Sequence, residues 1–427
     1  MDPRSFARTI LAALLLGALA LGGCAADGRD GDSGGGDDDD GSGDTDTGPY
    51  DGPAGTVGGT VMAPSGTFPI AGALVYLTIG DAPEIPEGVY CYECEDMTGK
   101  KWTLTNPDGT FHFDNVPAGE WNLVVRKGFF QRQRAVSVEA DSHLDVPIEK
   151  TTLPSENSDD GKDHIASYAV LLSYPDETYK LLGKFGLAQM AGGDVQWGTE
   201  AFDAYNDDVS EPGYPPSTEL FHDQPTLDHY HMIFLPCFAS QVGIPFAEGR
   251  AEMLRSYVSS GGKIYNSCCV SYWTEHPFPA YIDFYGTDEA STWDIGRLFS
   301  TAHSTTGSIT DPGLRDWLAV VVPSADPDNY PFSNGYTKLD ALVPTDDGHG
   351  LEEDDYAVVP YSWVDGAAAD EYGGSPLMVT YNYDCGKVFY SVYETSPDSG
   401  ATISPQEYVL LYIILEVGVC EGDYDIE

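Results

Sequence analysis

Short runs of alternating apolar and polar residues fill the chain between residues 54 and 150. Residues 71–77 (AGALVYL), 110–113 (TFHF) and 119–125 (GEWNLVV) are three such runs, and Asn-Pro-Asp-Gly at 106–109 forms a turn signal between two of them. A period of two residues with frequent tight turns is typical of antiparallel strands that bury one face. We therefore predict a small all-β sandwich over 54–150.

Apolar runs without strict alternation follow from residue 164 onward. They predict strands at 165–173, 230–236, 263–267, 376–383 and 387–393, and helices at 176–187, 246–259 and 407–417. Strands buried on both faces that alternate with helices are typical of a parallel sheet covered by helices. Because the chain is too long for one ordinary core, we predict a multidomain protein with a second, α/β parallel-sheet domain over 164–420. A polar linker at 151–163 and an acidic tail at 421–427 flank it.

The first residues have the order of an export signal. Arg4 and Arg8 precede the apolar run at 10–21 (ILAALLLGALAL), and two glycines then lead to Cys24. This run is shorter than the ~20 residues that a membrane-spanning helix needs. The stretch resembles a lipobox, which implies that a signal peptide at 1–23 is removed and that Cys24 carries a lipid anchor.

The segment after Cys24 is acidic and almost free of apolar residues. Residues 24–53 cannot bury enough surface to offset their chain entropy, so they predict a disordered tether. Asp44 and Asp46 have calcium-loop spacing, but the tether lacks the full ligand set with a bidentate glutamate. Ala25 after the lipidated cysteine resembles outer-membrane sorting signals, which implies an envelope location in the outer membrane.

The charge of the chain limits its partners. The formal net charge is −49 over 427 residues, and such a charge repels the phosphate backbone of nucleic acids. We therefore expect no nucleic acid partner. We also expect no cofactor. The expected partners are the membrane, through the lipid anchor, and an envelope protein or a glycan.

Seven cysteines remain after Cys24, and disulfides are expected outside the cytoplasm. They are Cys91, Cys94, Cys237, Cys268, Cys269, Cys385 and Cys420. An odd number leaves at least one thiol without a partner in the chain. The C-x-x-C pair at 91 and 94 suits a structural disulfide, part of a zinc site near His112, or a redox pair, and we favour the disulfide because no helix pattern follows.

Phrases in the first domain resemble the carboxypeptidase regulatory-like (transthyretin-like) family. They are TVGGTV at 56–61, AGALVYL at 71–77, TNPDGTFHF at 105–113 and VPAGEWNLVV at 116–125. The resemblance implies a sandwich that acts as a spacer, stabiliser or contact module beside another domain. It implies no catalytic residues of its own.

The second domain resembles the class I glutamine amidotransferase-like fold of trehalose-utilisation-like proteins. The phrases that carry this resemblance are HYHMIFLPC at 229–237, MLRSYVSSGGKIYNSCC at 253–269 and GKVFYSVYETSP at 386–397. It implies a nucleophile at Cys268 or Cys269 and an acidic partner at Glu394.

The family's catalytic histidine is missing, because Tyr393 precedes Glu394 and the last histidine is His349. The glycines of the family's tight turn are missing as well. His276 could replace the base, although its spacing does not require it. We expect the thiols to stay protonated and inert without an imidazole. Cys268 and Cys269 are then buried thiols or part of a structural disulfide, for which Cys237 is the candidate partner. Cys385 and Cys420 are the candidates for a second bridge.

A crevice at the carboxyl ends of parallel strands is the expected ligand site. Its expected lining includes Ser240, Tyr272, Trp273, Tyr393 and Glu394. His229 and His231 are a weaker metal-ligand hypothesis, because no third ligand lies nearby.

The sequence thus favours a non-catalytic envelope lipoprotein with a binding or structural role. The alternatives are an extracellular cysteine hydrolase that uses Cys269 and a metal- or calcium-binding envelope protein.

Overall fold

Two sheets form the first part of the protein. The computed structural model describes residues 52–237, 249–286, 295–344, 358–395 and 400–420. The first eight strands are β1 (Ala54–Thr60), β2 (Leu74–Thr78), β3 (Lys101–Leu104), β4 (Thr110–Pro117), β5 (Gly119–Lys127), β6 (Phe130–Val138), β7 (His143–Asp145) and β8 (Asp163–His164). One sheet has the order β4-β1-β7 and the other β3-β2-β5-β6-β8.

The alternating pattern of β4 shows how the sequence fixes the two faces. Phe111 and Phe113 are buried, while His112 between them and Asp114 after them are exposed and hydrogen-bond to each other at 3.1 Å. Successive side chains of a strand point to opposite faces, so only one face of β4 enters the core. A β-sandwich-like pair of sheets therefore stands where the sequence predicts one.

A mixed sheet dominates the rest of the protein. The remaining strands are β9 (Tyr168–Leu172), β10 (Met190–Ala191), β11 (Asp194–Val195), β12 (Asp203–Asn206), β13 (Met232–Leu235), β14 (Lys263–Ser267), β15 (Ile282–Phe284), β16 (His303–Ile309), β17 (Tyr330–Gly335), β18 (Leu339–Leu342), β19 (Tyr361–Gly366), β20 (Pro376–Tyr383) and β21 (Gly386–Ser391). Nine of them form one sheet in the order β12-β9-β13-β14-β21-β20-β19-β16-β17. The pairs β10-β11 and β15-β18 stand apart.

The helices are mostly short. They are α1 (Thr178–Leu182), α2 (Ser217–Leu220), α3 (Gln224–Leu227), α4 (Arg250–Ser259), α5 (Tyr272–Glu275), α6 (Pro312–Val321) and α7 (Pro405–Val417), with 3₁₀ turns at Ile148–Lys150 and Cys268–Val270 and a π-helical turn at Gly183–Leu187. A capping box of Ser404 and Glu407 starts α7. The same Glu407 accepts a hydrogen bond from the buried Lys184 at 2.8 Å, which fixes α7 beside the π-helical turn.

The expected all-parallel sheet is only partly present. The five strands from β12 to β21 are parallel to their neighbours, but β20 runs antiparallel to β21. The reason is the tight turn at Asp384 and Cys385, where Asp384 has a φ of 50°. A parallel connection needs a crossover of a dozen or more residues, and the gap between these strands leaves room only for a hairpin.

Two disulfides fasten the sandwich to the mixed sheet. Cys91 bonds to Cys385 and Cys94 to Cys420, although 294 and 326 residues separate the partners. The expected Cys385–Cys420 bridge is therefore wrong, and so are the zinc and redox hypotheses for the C-x-x-C pair. Spacing could not show that the loop before β3 reaches the hairpin and the end of α7.

Close backbone contacts bring that loop against the amino ends of the parallel strands. Gly261 has a φ of 110°, and a Cβ there would overlap the carbonyl group of Tyr90. The indole Nε1 of Trp317 on α6 donates a hydrogen bond to the Pro69 carbonyl at 2.9 Å. Apolar side chains of both parts join one continuous core. The sandwich therefore packs on the end of the sheet opposite to the carboxyl ends of its parallel strands.

The predicted linker at 151–163 ends inside the sandwich. Asp163 belongs to β8, which pairs with β6, and its carboxylate accepts hydrogen bonds from Arg132 and Arg134. Residues 1–51, including Cys24, and the tail at 421–427 lie outside the described residues. None of the described helices is long and apolar enough to cross a lipid bilayer.

Candidate functional site

The carboxyl ends of four neighbouring parallel strands meet at one edge of the mixed sheet. The strands β9, β13, β14 and β21 are adjacent, so the segments that follow them converge. These segments carry Asp176, Cys237, Cys268 and Cys269, and Glu394, in that order. Sheets of this kind bind ligands at such an edge. The edge thus gathers the residues that the sequence pointed to, together with Asp176.

Three cysteines form one buried cluster at this edge. The sulfurs of Cys237, Cys268 and Cys269 all lie within 4.8 Å of one another, and the last two are 3.6 Å apart. The backbone N–H of Cys269 donates a hydrogen bond to the Cys237 sulfur at 3.2 Å. All three are free, buried cysteines, so the bridge from Cys237 to Cys268 or Cys269 is wrong and the alternative of buried thiols is correct. The strand ends do bring the sulfurs together, but no S–S bond joins them.

The turn after β14 is sharp although it lacks glycine. Cys268 has a φ of 49°, in the left-handed region that non-glycine residues rarely adopt. Its carbonyl oxygen accepts a hydrogen bond from the Tyr390 hydroxyl at 2.6 Å, which supports this conformation. The absence of glycines therefore does not prevent the tight turn, contrary to the sequence-based expectation. Strained backbone of this kind is concentrated at functional sites.

Asp176 organises the site, and sequence reasoning missed it. Its buried carboxylate accepts hydrogen bonds from the backbone N–H and hydroxyl of Thr395 at 2.9 and 2.8 Å. It also accepts hydrogen bonds from the Cys237 backbone N–H at 3.2 Å and from the Ser267 hydroxyl. One side chain thus connects the segments that follow all four strands. The only sequence signal was its position just after a buried strand, where it looked like a helix start.

Glu394 is a second buried carboxyl beside the cluster. It is fully buried, and among the described residues neither carboxyl oxygen has a hydrogen-bond partner of standard geometry. Burial, and then the charge of Asp176, raise the pKa of Glu394 well above its usual value, while the neighbouring Cys237 and Cys268 thiols lower it in part. The protonated carboxyl is therefore favoured.

The three thiols differ in acidity. Burial raises the pKa of Cys237 and of Cys268 well above the usual value. Hydrogen bonds from Cys237 and then Cys268 lower the pKa of Cys269, and the charge of Arg297 adds to this effect. The expectation of protonated thiols without an imidazole therefore agrees with the shifts at Cys237 and Cys268 but not with that at Cys269. Hydrogen bonds from the two neighbouring thiols thus favour the charged form of Cys269, whereas burial disfavours that of Cys237 and Cys268.

Histidine is absent from the cluster among the described residues. The side-chain atoms within 4.8 Å of one another are the three sulfurs, and no ring nitrogen joins them. His276 follows α5, and burial lowers its pKa. The structure therefore does not bring His276 into the cluster as the base that a cysteine hydrolase would use.

The expected crevice is filled by packed side chains. Trp273 is fully buried and stacks on Phe221 with ring centroids 4.9 Å apart. Tyr272 and Tyr393 are equally buried. Ser240 lies outside the described residues. None of the described members is an exposed platform for a sugar ring, so the expected glycan surface at these residues is not supported.

A separate cavity of about 1010 Å³ lies at the opposite, amino ends of the parallel strands, and His229 and His231 line it. The Ser167 backbone N–H donates a hydrogen bond to Nδ1 of His231 at 3.0 Å, and Nε2 donates one to the Pro86 carbonyl at 2.8 Å. Both nitrogens are thus occupied, and burial lowers the pKa of His231 to about 4. His231 is thus a structural side chain, and the pair does not offer two free imidazoles to a metal ion.

No protein-family model matches this chain, and no curated protein sequence matches it. Among solved structures, a cytoplasmic protein of Salmonella typhimurium is similar at 12% identity with a TM-score of 0.35, over 59% of this chain and 99% of that one. A beta-galactosidase from Bacillus circulans sp. alkalophilus is similar at 12% identity with a TM-score of 0.29, over 60% of this chain and 31% of that one. A cohesin–dockerin complex from Acetivibrio cellulolyticus is similar at 19% identity with a TM-score of 0.16, over 33% of this chain and 79% of that one. Scores this low carry no argument about fold or function.

Proposed function

We propose that this chain is a membrane-anchored envelope lipoprotein with a binding or structural role rather than a catalytic one. The pair of disulfides between the sandwich and the mixed sheet is the observation that carries the proposal. Such bonds persist in oxidising compartments and are rare in the cytosol. The lipobox-like stretch that ends at Cys24 supplies the anchor, and residues 24–53 supply the tether to the outer membrane.

The folded part then acts as one rigid body that presents its surface to an envelope protein. Both bridges and the shared apolar core hold the sandwich and the mixed sheet in a fixed relation. The left-handed turn at Cys268, directly after the parallel strand β14, supports a finer assignment to an amidotransferase-like fold. The strand phrases of the first part support a carboxypeptidase regulatory-like sandwich. A non-catalytic role is supported by a thiol cluster without histidine among the described residues.

Membrane fractionation with disulfide mapping tests this proposal. The full chain is expected in the membrane fraction, with the Cys91–Cys385 and Cys94–Cys420 bridges present in digests made without reductant. The wild-type chain is expected to take up labelled fatty acid, and C24A is expected to lose that label while keeping both bridges. The conservative variant A26S, two residues away, serves as the control and keeps the label. A labelled C24A, or reduced Cys91 in the wild-type chain, would contradict the proposal.

A cysteine hydrolase that uses Cys269 is the second candidate. The lowered pKa of Cys269 and the left-handed turn at Cys268 favour it, whereas only 4% of the Cys269 surface is exposed. Iodoacetamide at neutral pH separates the two candidates. A non-catalytic protein is expected to react slowly in the folded state and to expose three thiols in denaturant. Rapid labelling of folded Cys269, absent in C269A, would favour the hydrolase.

A further inference from the structure

We propose that Cys237, Cys268 and Cys269 form a binding site for a thiophilic d¹⁰ metal ion, with Zn²⁺ and Cu⁺ as the members of that class. The three sulfurs lie within 4.8 Å of one another in the interior. Tetrahedral ligands about 2.3 Å from zinc are about 3.8 Å apart, so small side-chain rotations bring all three sulfurs to coordination distance. Three-sulfur sites suit both ions, whereas Ca²⁺ and Mg²⁺ prefer oxygen.

An independent observation also points to a ligand at this place. Glu394 is fully buried, its two carboxyl oxygens have no hydrogen-bond partner of standard geometry among the described residues, and the Cys237 and Cys268 thiols face it. Thiols are weak hydrogen-bond donors, so the burial of this carboxyl still costs free energy unless a stronger partner pairs with it. Carboxylate oxygen is one of the ligand atoms that zinc accepts, besides cysteine sulfur and histidine nitrogen. Glu394 is not a member of the group whose atoms all lie within 4.8 Å of one another, so it lies beside the three sulfurs and would have to move to become a fourth ligand of Zn²⁺.

The surrounding protein fixes the positions of these ligands before an ion arrives. The Cys237 backbone N–H donates a hydrogen bond to the Ser267 hydroxyl at 2.8 Å, and Tyr390 holds the Cys268 carbonyl group. Asp176 connects both segments to the residue after Glu394. Such outer hydrogen bonds orient metal ligands and raise the affinity of a site.

The arrangement also accounts for three reduced thiols in a chain whose other described cysteines are oxidised. Coordination replaces the S–H bonds by S–metal bonds and passes the thiol protons to the solvent. No electron transfer is needed, and a bound thiolate is less available for disulfide formation. The inference adds a metal site to the proposed envelope protein and does not depend on the lipid anchor.

Metal loading of the full chain tests the inference. Detergent-solubilised protein is stripped with a chelator, incubated without oxygen with Zn²⁺, Cu⁺ or Ca²⁺, desalted and analysed for metal. We expect about one Zn²⁺ or one Cu⁺ per chain that C237S, C268S and C269S each lose. Ca²⁺ retention is expected to be equal in all variants. The control variant C91S/C385S removes two other cysteines and is expected to retain the ion.

Two further measurements keep the inference falsifiable if a serine variant folds poorly. Co²⁺ in place of Zn²⁺ is expected to give sulfur-to-cobalt charge-transfer absorption whose intensity corresponds to three thiolates. E394Q, which keeps the sulfurs, is expected to weaken Zn²⁺ binding roughly 10- to 100-fold while leaving Cu⁺ nearly unchanged. A folded wild-type chain with three titratable thiols and no retained ion would overturn the inference. One remaining thiol in denaturant would also overturn it, because two sulfurs would then share a disulfide.

Discussion

Removing the two disulfides singly and together tests how much each one stabilises the folded chain against unfolding. The Cys91–Cys385 bridge closes a loop of 294 residues, and the chain-entropy relation assigns about 6 kcal/mol to such a closure. Once that bridge exists, Cys94–Cys420 closes a loop of roughly 38 residues, for which the same relation gives about 4 kcal/mol. Either bridge can be counted as the second one, because the loop that the second bridge closes runs through the same two chain segments in either order.

The variants C91S/C385S and C94S/C420S should therefore each lose about 4 kcal/mol of unfolding free energy, while the quadruple variant loses about 10 kcal/mol. The combined loss exceeds the sum of the single losses by about 2 kcal/mol, because the first bridge shortens the loop that the second bridge closes. Urea unfolding followed by tryptophan fluorescence measures all three losses. Wild-type protein reduced with a phosphine and alkylated serves as the control and should match the quadruple variant.

A combined loss equal to the sum of the single losses would refute this reasoning. It would mean that local contacts around each bridge, and not chain entropy in the unfolded state, determine their effect. Single losses below about 1 kcal/mol would show that the shared apolar core alone holds the sandwich to the mixed sheet.

Three further perturbations probe single side chains. The pKa of His231 falls from about 6.5 in the unfolded chain to about 4 in the folded chain, so the unfolded state takes up the proton first. The free energy of unfolding should therefore fall by up to about 3 kcal/mol as the pH drops from 6.5 to 4. The urea midpoint of H231Q should change less with pH over that range, and an equal change in both proteins would contradict the assignment. E407Q removes the carboxylate that pairs with the buried Lys184 ammonium and should lower the free energy of unfolding by about 3–5 kcal/mol. The control E252Q, at the more exposed pair with Arg255, should lower it by less than about 1 kcal/mol. Similar losses in both variants would contradict the burial argument. D176A removes the acceptor of buried donors at the ends of three strands and should lower the free energy of unfolding by about 3–5 kcal/mol. D176N should lose less, and thermal unfolding measures both. A loss below about 1 kcal/mol in D176A would exclude the organising role.

The sequence predicted local structure better than long-range contacts. Alternation located the buried Phe111 and Phe113, and the strand at 263–267 coincides with β14. Parallel strands bring their carboxyl ends to one edge, so the approach of Cys237 to Cys268 could be expected from strand positions alone. The antiparallel direction of β20 was missed because the turn at Asp384 carries no glycine in its first two positions.

The electrostatic character of the site was beyond the reach of the sequence. Whether Cys269 is acidic depends on which neighbouring sulfurs donate hydrogen bonds to it, and this is decided by side-chain geometry. Asp176 and Thr395 are 219 residues apart and have no shared pattern. The bridges of Cys91 and Cys94 depend on where a loop of the sandwich reaches the sheet, and no periodicity encodes that position.

The long span of each bridge has a consequence for the biogenesis of the chain. Cys91 emerges 294 residues before Cys385, and at roughly 5–20 residues per second the interval is about 15–60 s. During that time Cys94, three positions away, is the nearest thiol. A catalyst that oxidises thiols in order of appearance would join these two neighbours, so correct maturation requires either late oxidation or an isomerase that reopens the early pair.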